Sequence, residues 1–298
     1  MKVCLIGSKL RVITHANMLA KEGIEVHLIS NRKASHGELG RVDERVICHE
    51  QFVNRLKYDR KINILLYPFT LFRLKRKINE INPDIVHCFF TIIYGWISAL
   101  LNLKPFVLTT MGSDINVSQG AFKTISRKYL SPFSIKKANI VTVVSQEGYD
   151  QVRKVSPDKT PIIFRAGFNP DKFFPEEKSA NLIKKYNLQN CNIILSPRGF
   201  KKELYNIETI IRGFGLYNSS HSNSKLLLIG YHNNTYGRKI RYLINELGLN
   251  DSVIFCGQVS HDEIRDYYNL CDVAVSLPAS DGSPASLVEL LACGKPII

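Results

Sequence analysis

The chain has 298 residues, 45% of them hydrophobic, with 40 Lys and Arg against 26 Asp and Glu for a formal net charge of +14. Length and apolar content predict about two globular domains with proper cores. Seven cysteines, an odd number without a C-x-x-C pair, argue against a disulfide framework or a zinc site and fit reduced thiols in a cytoplasmic protein.

Residues 3–6 form the first apolar run and stop at Gly7 and Ser8. This reads as a strand and is too short for a signal peptide. Further strands are predicted over 25–29, 85–88, 106–110 and 140–144, with helices over 16–22 and near 135–137 and an irregular basic region between those helices. Residues 85–103 hold no Asp, Glu, Lys or Arg and approach the roughly 20 apolar residues that span a bilayer. They are read instead as a buried strand over 85–89 and a buried helix over 93–103. The reasons are the turn at Pro83 and Asp84, the polar interruptions at His87 and Tyr94, and the strand and helix alternation around them. A second series has strands over 193–196, 225–229, 253–256 and 273–276, separated by helices over 207–217, 237–247 and 262–270. Continuous apolar strands alternating with helices predict an α/β fold with parallel sheets covered on both faces. Two such series predict two Rossmann-like domains, 1–170 and 171–298, facing a central cleft that holds the ligand.

The last predicted helix carries the chemistry. Asp281 lies in a loop with Gly282, Ser283 and Pro284; Ser286 is the expected N-cap; Leu287, Leu290, Leu291 and Ala292 give an apolar face; Gly294 ends the helix. Free N–H groups at the helix start suit a phosphate, while Glu289, seven residues beyond Asp281, can accept hydrogen bonds from hydroxyls of the same ligand. A nucleotide sugar has both parts. A capped amphipathic helix closing a βα turn, with Glu289 solvated, is the alternative the local pattern leaves open.

The stretch CDVAVSLPASDGSPASLVELLACGKPII resembles the signature of the retaining family 4 glycosyltransferases (group 1, GT-B architecture), in which an acidic residue precedes the Glu of a helix reading L-x-E-x-x-A-x-G-x-P. Four other stretches resemble the family in the expected order: the opening KVCLIGSKLRVITHANMLAKEGIEVHLIS, then PDIVH, LTTMGSD and IFRAGFNPDKFFP. The resemblance implies that Glu289 holds the donor ribose and that Asp281, where the family usually has Glu, faces the transferred sugar. It implies further that Ser283, Pro284, Ala285, Ser286 and Leu287 offer N–H groups to the diphosphate. Arg198 and Lys202, favoured over Lys201, match the cations that stabilise the departing diphosphate. Gly7 provides the turn after the first strand. On the acceptor side the resemblance points to Gly112, Ser113 and Asp114; Met111 replaces the family's His and cannot donate a hydrogen bond. His87 is a further acceptor-side candidate, and both it and His15 also fit as structural histidines.

The implied reaction moves a sugar from a nucleotide-diphosphate donor to a surface glycan or lipid-linked acceptor, as in polysaccharide or lipopolysaccharide synthesis. It proceeds with retention, without an enzyme nucleophile and without a metal cofactor; no D-x-D occurs in the sequence. A nucleotide-sugar 2-epimerase of the same architecture and a non-catalytic nucleotide-sugar-binding protein are the alternatives. A Rossmann dehydrogenase is disfavoured because GSKLRV lacks G-x-G-x-x-G.

Charge is divided unevenly. Residues 1–170 hold 26 Lys and Arg against 13 Asp and Glu, whereas 171–298 hold 14 against 13. The excess is densest over 55–77, where basic residues alternate with Leu65, Leu66, Tyr67, Phe69, Leu71 and Phe72. That mixture predicts peripheral attachment to an anionic membrane surface, on its inner face. Nucleic acid is not expected, since no zinc motif, RNP-type strand or helix-turn-helix spacing accompanies the charge. The apolar run 296–298 reads as a strand just starting, so the expectation is a second domain truncated at its C-terminus and poorly stable or inactive alone.

Overall fold

The computed structural model describes residues 1–7, 10–30, 42–49, 67–112, 114–115, 126–165, 167–200, 202–279 and 281–298. The chain divides into two compact units, Met1–Ala166 and Gly167–Ile298.

Unit 1 is built on a seven-stranded parallel sheet. Its strands are β1 (Lys2–Ile6), β2 (Glu25–Ile29), β3 (Ile47–His49), β4 (Ile85–Phe89), β5 (Phe106–Thr110), β6 (Ile140–Val143) and β7 (Ile162–Ile163), in the order β3-β2-β1-β4-β5-β6-β7. Strand alternation divides the core between the two faces. Val3, Leu5, Val26 and Leu28 meet Val12, Ile13, Ala16 and Ala20 of helix α1 (Leu10–Lys21). Cys4, Ile6, Val86, Cys88 and Leu108 meet the opposite layer of helices. That layer comprises α2 (Tyr67–Ile81), α3 (Trp96–Leu100), α4 (Ser131–Lys137) and α5 (Gln146–Val155).

Two elements differ from the sequence expectation. α2 replaces part of the supposed irregular basic region: Leu74, Ile78 and Ile81 are buried at helical spacing, and Phe72, Arg73, Lys75 and Arg76 lie on the exposed side. The predicted helix over 93–103 becomes a π-helical turn, Thr91–Gly95, followed by the five-residue α3. Phe90 breaks the chain direction at φ +74°, and Thr91 is tied by its N–H to Asp114 at 2.7 Å. Gly95 is required there, because a Cβ would lie 2.7 Å from Leu108 Cδ1 and 2.9 Å from the Phe90 carbonyl oxygen. Among the described residues, no helix is long and apolar enough to cross a membrane.

Unit 2 has a four-stranded parallel sheet in the order β10-β9-β8-β11. The strands are β8 (Asn192–Ser196), β9 (Ser224–Ile229), β10 (Val253–Gly257) and β11 (Val273–Ala274). Helices α7 (Ile207–Ser220) and α8 (Thr235–Glu246) pack on Leu226 and Leu228. The other face, with Ile193, Leu195 and Leu227, is covered by α9 (Ile264–Leu270) and α10 (Ala285–Ala292). The short helix α6 (Ala180–Tyr186) joins this layer through Leu182 and Ile183. Ile297 bridges Ala274 in parallel, so the last residues pair with β11.

The chain runs from β8 to β9 and β10 on one side of β8, then crosses to β11 on the other. The loops after β8 and β11 therefore diverge at the carboxyl edge of the sheet. Such a reversal leaves a crevice where open α/β sheets bind ligands.

Candidate functional site

Both loops at this reversal carry charge. Arg198 follows β8 and Asp281 follows β11, and the two side chains form an ion pair. Their exposures of 12% and 20% keep water from screening the pair fully. The other terminal nitrogen of Arg198 donates to the Ser286 hydroxyl at 2.8 Å, and its guanidinium carbon lies 4.5 Å from the centre of the Tyr205 ring. Its Nε is buried and has no hydrogen-bond partner among the described residues. Arg198 is thus held on three sides by groups that a phosphate can join or displace.

The loop after β8 is placed by backbone contact. Gly230, at φ +132°, sits so close to Gly199 that a Cβ would lie 2.6 Å from the Gly199 Cα. Only glycine permits that approach.

α10 starts two residues earlier than the sequence suggests. Its N-cap is Pro284 and not Ser286, and no side chain caps the helix. Pro284 has no side-chain acceptor, and its carbonyl takes the N–H of Leu287 at 3.1 Å. Ser286, inside the first turn, is free of capping duty and binds Arg198 instead. A helix start without a capping side chain, beside a half-buried cation, suits an anion.

Glu289 lies one turn further along the same face as Ser286. Its side chain is 14% exposed, so the solvated alternative does not hold. Tyr268 donates its hydroxyl to Glu289 Oε2 at 3.2 Å, and His261 Nε2 stands 3.8 Å from Oε1. Burial, and next the Glu289 charge, push the Tyr268 phenol well above its ordinary pKa, so it remains a donor.

Arg198, Asp281, Ser286 and Glu289 are therefore brought together. Leu287, half-buried, packs against the core, and Ser283, Pro284 and Ala285 complete the turn into α10. Lys202 opens a short 3-10 helix, Lys202–Tyr205; its side chain, like residue Lys201, lies outside the described residues. Tyr205, at the end of that turn, lies against Arg198 by its ring. Sequence reading missed Tyr205, Tyr268 and His261 as members of the site.

Unit 1 uses its candidates differently. Gly7 ends β1, where a Cβ would lie 2.8 Å from a Val12 methyl, so glycine lets α1 pack close. Gly112 takes φ +84° and receives the N–H of Ile115 at 3.0 Å. Ser113 lies outside the described residues. Asp114 is 4% exposed, and its carboxylate accepts the N–H groups of Thr91 at 2.7 Å and Met111 at 2.9 Å. It staples the segments after β4 and β5 together, and burial raises its pKa against those hydrogen bonds. His87 hydrogen-bonds Thr109 at 2.6 Å, and Thr109 bonds Thr142 at 2.6 Å, a polar row across β4, β5 and β6. Burial, with the His15 ring packed edge-on at 5.2 Å, lowers the His87 pKa to about 3. It is a neutral imidazole at physiological pH.

Residues 2–145 match the family described as "Glycosyl transferase 4-like", and residues 178–298 match "Glycosyl transferases group 1". The chain is 25% identical over 235 residues to TuaC of Bacillus subtilis (strain 168), named as a teichuronic acid biosynthesis glycosyltransferase; the match covers 74% of this chain and 54% of that protein. It spans little more than half the length of the curated relatives it matches, 54% and 57%. Among solved structures, sucrose-phosphate synthase from Thermosynechococcus elongatus superposes over 100% of this chain and 80% of its own with a TM-score of 0.77 at 18% identity. Anabaena HepE in complex with UDP and glucose does so over 100% and 80% with a TM-score of 0.75 at 14% identity. At those identities the likeness establishes the fold, which is GT-B.

Proposed function

The chain belongs to the group 1 glycosyl transferases, and from that premise we propose that it transfers a sugar from a nucleotide-diphosphate donor, held on unit 2, to a glycan or lipid-linked acceptor with retention at the anomeric carbon. One observation carries the reading. At the reversal in the unit 2 sheet, a half-buried guanidinium, a helix start without a side-chain cap and a half-buried carboxylate one turn along converge on one crevice.

Each group then has a task. Arg198 and the first N–H groups of α10 meet the diphosphate without a resident metal ion, and they stabilise the negative charge that grows on it as the glycosidic bond breaks. Phosphate oxygens compete with Asp281 for Arg198, which frees the Asp281 carboxylate to face the sugar. Glu289 accepts the ribose hydroxyls. The departing phosphate takes the acceptor proton, so no enzyme nucleophile is needed.

Calorimetric titration with UDP, GDP and ADP tests this, with Glu289→Ala as the control. Saturable binding of one nucleotide, weakened about tenfold or more by the substitution, is expected. A folded chain that binds none of the three would sink the reading.

For the acceptor side we propose attachment to the inner face of an anionic membrane through α2. Phe72 is 65% exposed there beside Arg73, Lys75 and Arg76, and only Glu80 among the described residues of α2 opposes the charge. Residues 55–66, the rest of the predicted surface, lie outside the described residues. Flotation with phosphatidylglycerol vesicles should recover the chain at low salt and lose it when Arg73, Lys75, Arg76 and Lys77 are neutralised together. Equal recovery with neutral vesicles would refute it.

A further inference from the structure

Glu289 is supported by side chains from three other parts of unit 2. Tyr268 on α9 is 3% exposed, and its hydroxyl has a single acceptor among the described residues, Glu289 Oε2. His261, in the loop before α9, accepts from Lys172 Nζ at 2.8 Å through Nδ1. A charged Lys has only donors, so this contact leaves the imidazole proton on Nε2, which stands 3.8 Å from Glu289 Oε1. Lys172 is fixed in turn by Asp262 at 2.9 Å. Phe173, next to Lys172 and 3% exposed, packs edge-on to His261 at 5.7 Å and against Tyr268 at 6.0 Å.

We infer that Tyr268 and His261 are positioning residues that set the Glu289 carboxylate for a nucleotide ribose. The inference rests on the donor-site reading given above. A glutamate on a helix has several rotamers, and a ligand that must select one binds more weakly by the fraction of time it is absent. Tyr268 fixes Oε2 with a neutral donor. A neutral donor leaves the carboxylate its charge, and hence its strength as an acceptor of hydroxyl hydrogens; a Lys or Arg in that place would cancel it. The His261 edge stands beyond hydrogen-bond length, so Oε1 keeps lone pairs for the ligand. Lys172 controls which imidazole nitrogen bears the proton, so the edge facing Glu289 presents an N–H that attracts the carboxylate and not a lone pair that repels it.

The test compares each nucleoside diphosphate that binds among UDP, GDP and ADP with its 2′,3′-dideoxy counterpart, in the wild type and in Tyr268→Phe. The wild type should prefer the ribonucleotide by about 150-fold or more, as two hydrogen bonds to a carboxylate imply. Tyr268→Phe should reduce that preference about fivefold while the dideoxy affinity stays within about twofold, since only ribose recognition uses the fixed carboxylate. His261→Gln, at a residue whose side chain is 37% exposed, should give a smaller loss of the same kind and serves if Tyr268→Phe does not fold. A wild type without ribose preference, or without binding, removes the reading of Glu289 and the inference with it. A wild type that prefers ribose beside a Tyr268→Phe with the full preference, or with both nucleotides weakened alike, overturns the positioning alone.

Discussion

The two units share one architecture and place their charged groups to opposite ends. Each is a parallel sheet whose chain order reverses beside a central strand, β1 in unit 1 and β8 in unit 2. In unit 2 the reversal is lined by charged and polar groups that pair with one another, Arg198 with Asp281 and Ser286, and Glu289 with Tyr268. In unit 1 the buried polar groups near the strand ends bind the protein's own backbone or close a row of hydroxyls, and the excess charge of the sequence lies on helix surfaces such as α2. A topological crevice is therefore common to both folds, and side chains decide whether it is lined by paired charge or serves as scaffold.

A matched pair of substitutions breaks or sharpens that contrast. Asp114→Ala removes a buried acceptor from two backbone N–H groups and should cost about 3–5 kcal/mol, a drop of roughly 10 °C in the unit 1 transition. Nucleotide binding on unit 2 should persist at temperatures where the variant is folded. Arg198→Ala should do the reverse. It leaves Asp281 near enough to solvent to hydrate, so melting changes little, whereas affinity for a nucleoside diphosphate should fall about 100-fold. Differential scanning calorimetry and titration on both variants measure both effects. If Asp114→Ala loses binding while fully folded, or Arg198→Ala melts early, the division of roles fails.

What the sequence revealed of the site follows the same division. Asp281 and Glu289 were legible because one helix and its loop carry both, so spacing along the chain is spacing in space. Arg198 was reached through the resemblance, one strand away. His261 and Tyr268 come from the loop after β10 and from α9, and no local pattern marks a single His or Tyr as the partner of a carboxylate 28 or 21 residues later. The N-cap at Pro284 was misread as Ser286 because both precede the apolar face, and a serine is the better capping residue in isolation; the pull of Arg198 on its hydroxyl is a tertiary fact. α2 was obscured for a different reason. Its basic residues dominate the composition, while Leu74, Ile78 and Ile81 at helical spacing were the signal that should have prevailed.

A further effect, seen only at low pH, concerns the polar row of unit 1. His87 has a pKa of about 3 in the folded chain against an ordinary value of 6.5, chiefly through burial. Between those values the unfolded chain binds a proton that the folded chain refuses, so stability is complete above about pH 6.5 and declines as pH falls toward 3. The slope is about 1.4 kcal/mol per pH unit for this group, hence roughly 3 kcal/mol lost at pH 4. His15, also lowered by burial, acts with the same sign. His87→Gln keeps an amide able to bond Thr109 and removes the titration. Its melting temperature at pH 7 should lie slightly below wild type, through imperfect packing against His15 and Phe89, whose rings lie 5.2 and 4.5 Å from that of His87. At pH 4 the order should invert, since the variant has no proton to refuse. Melting curves of the two chains that stay parallel from pH 7 to pH 4 would mean that His87 is open enough to charge in place, and the polar row would then be a solvated surface and not part of the scaffold.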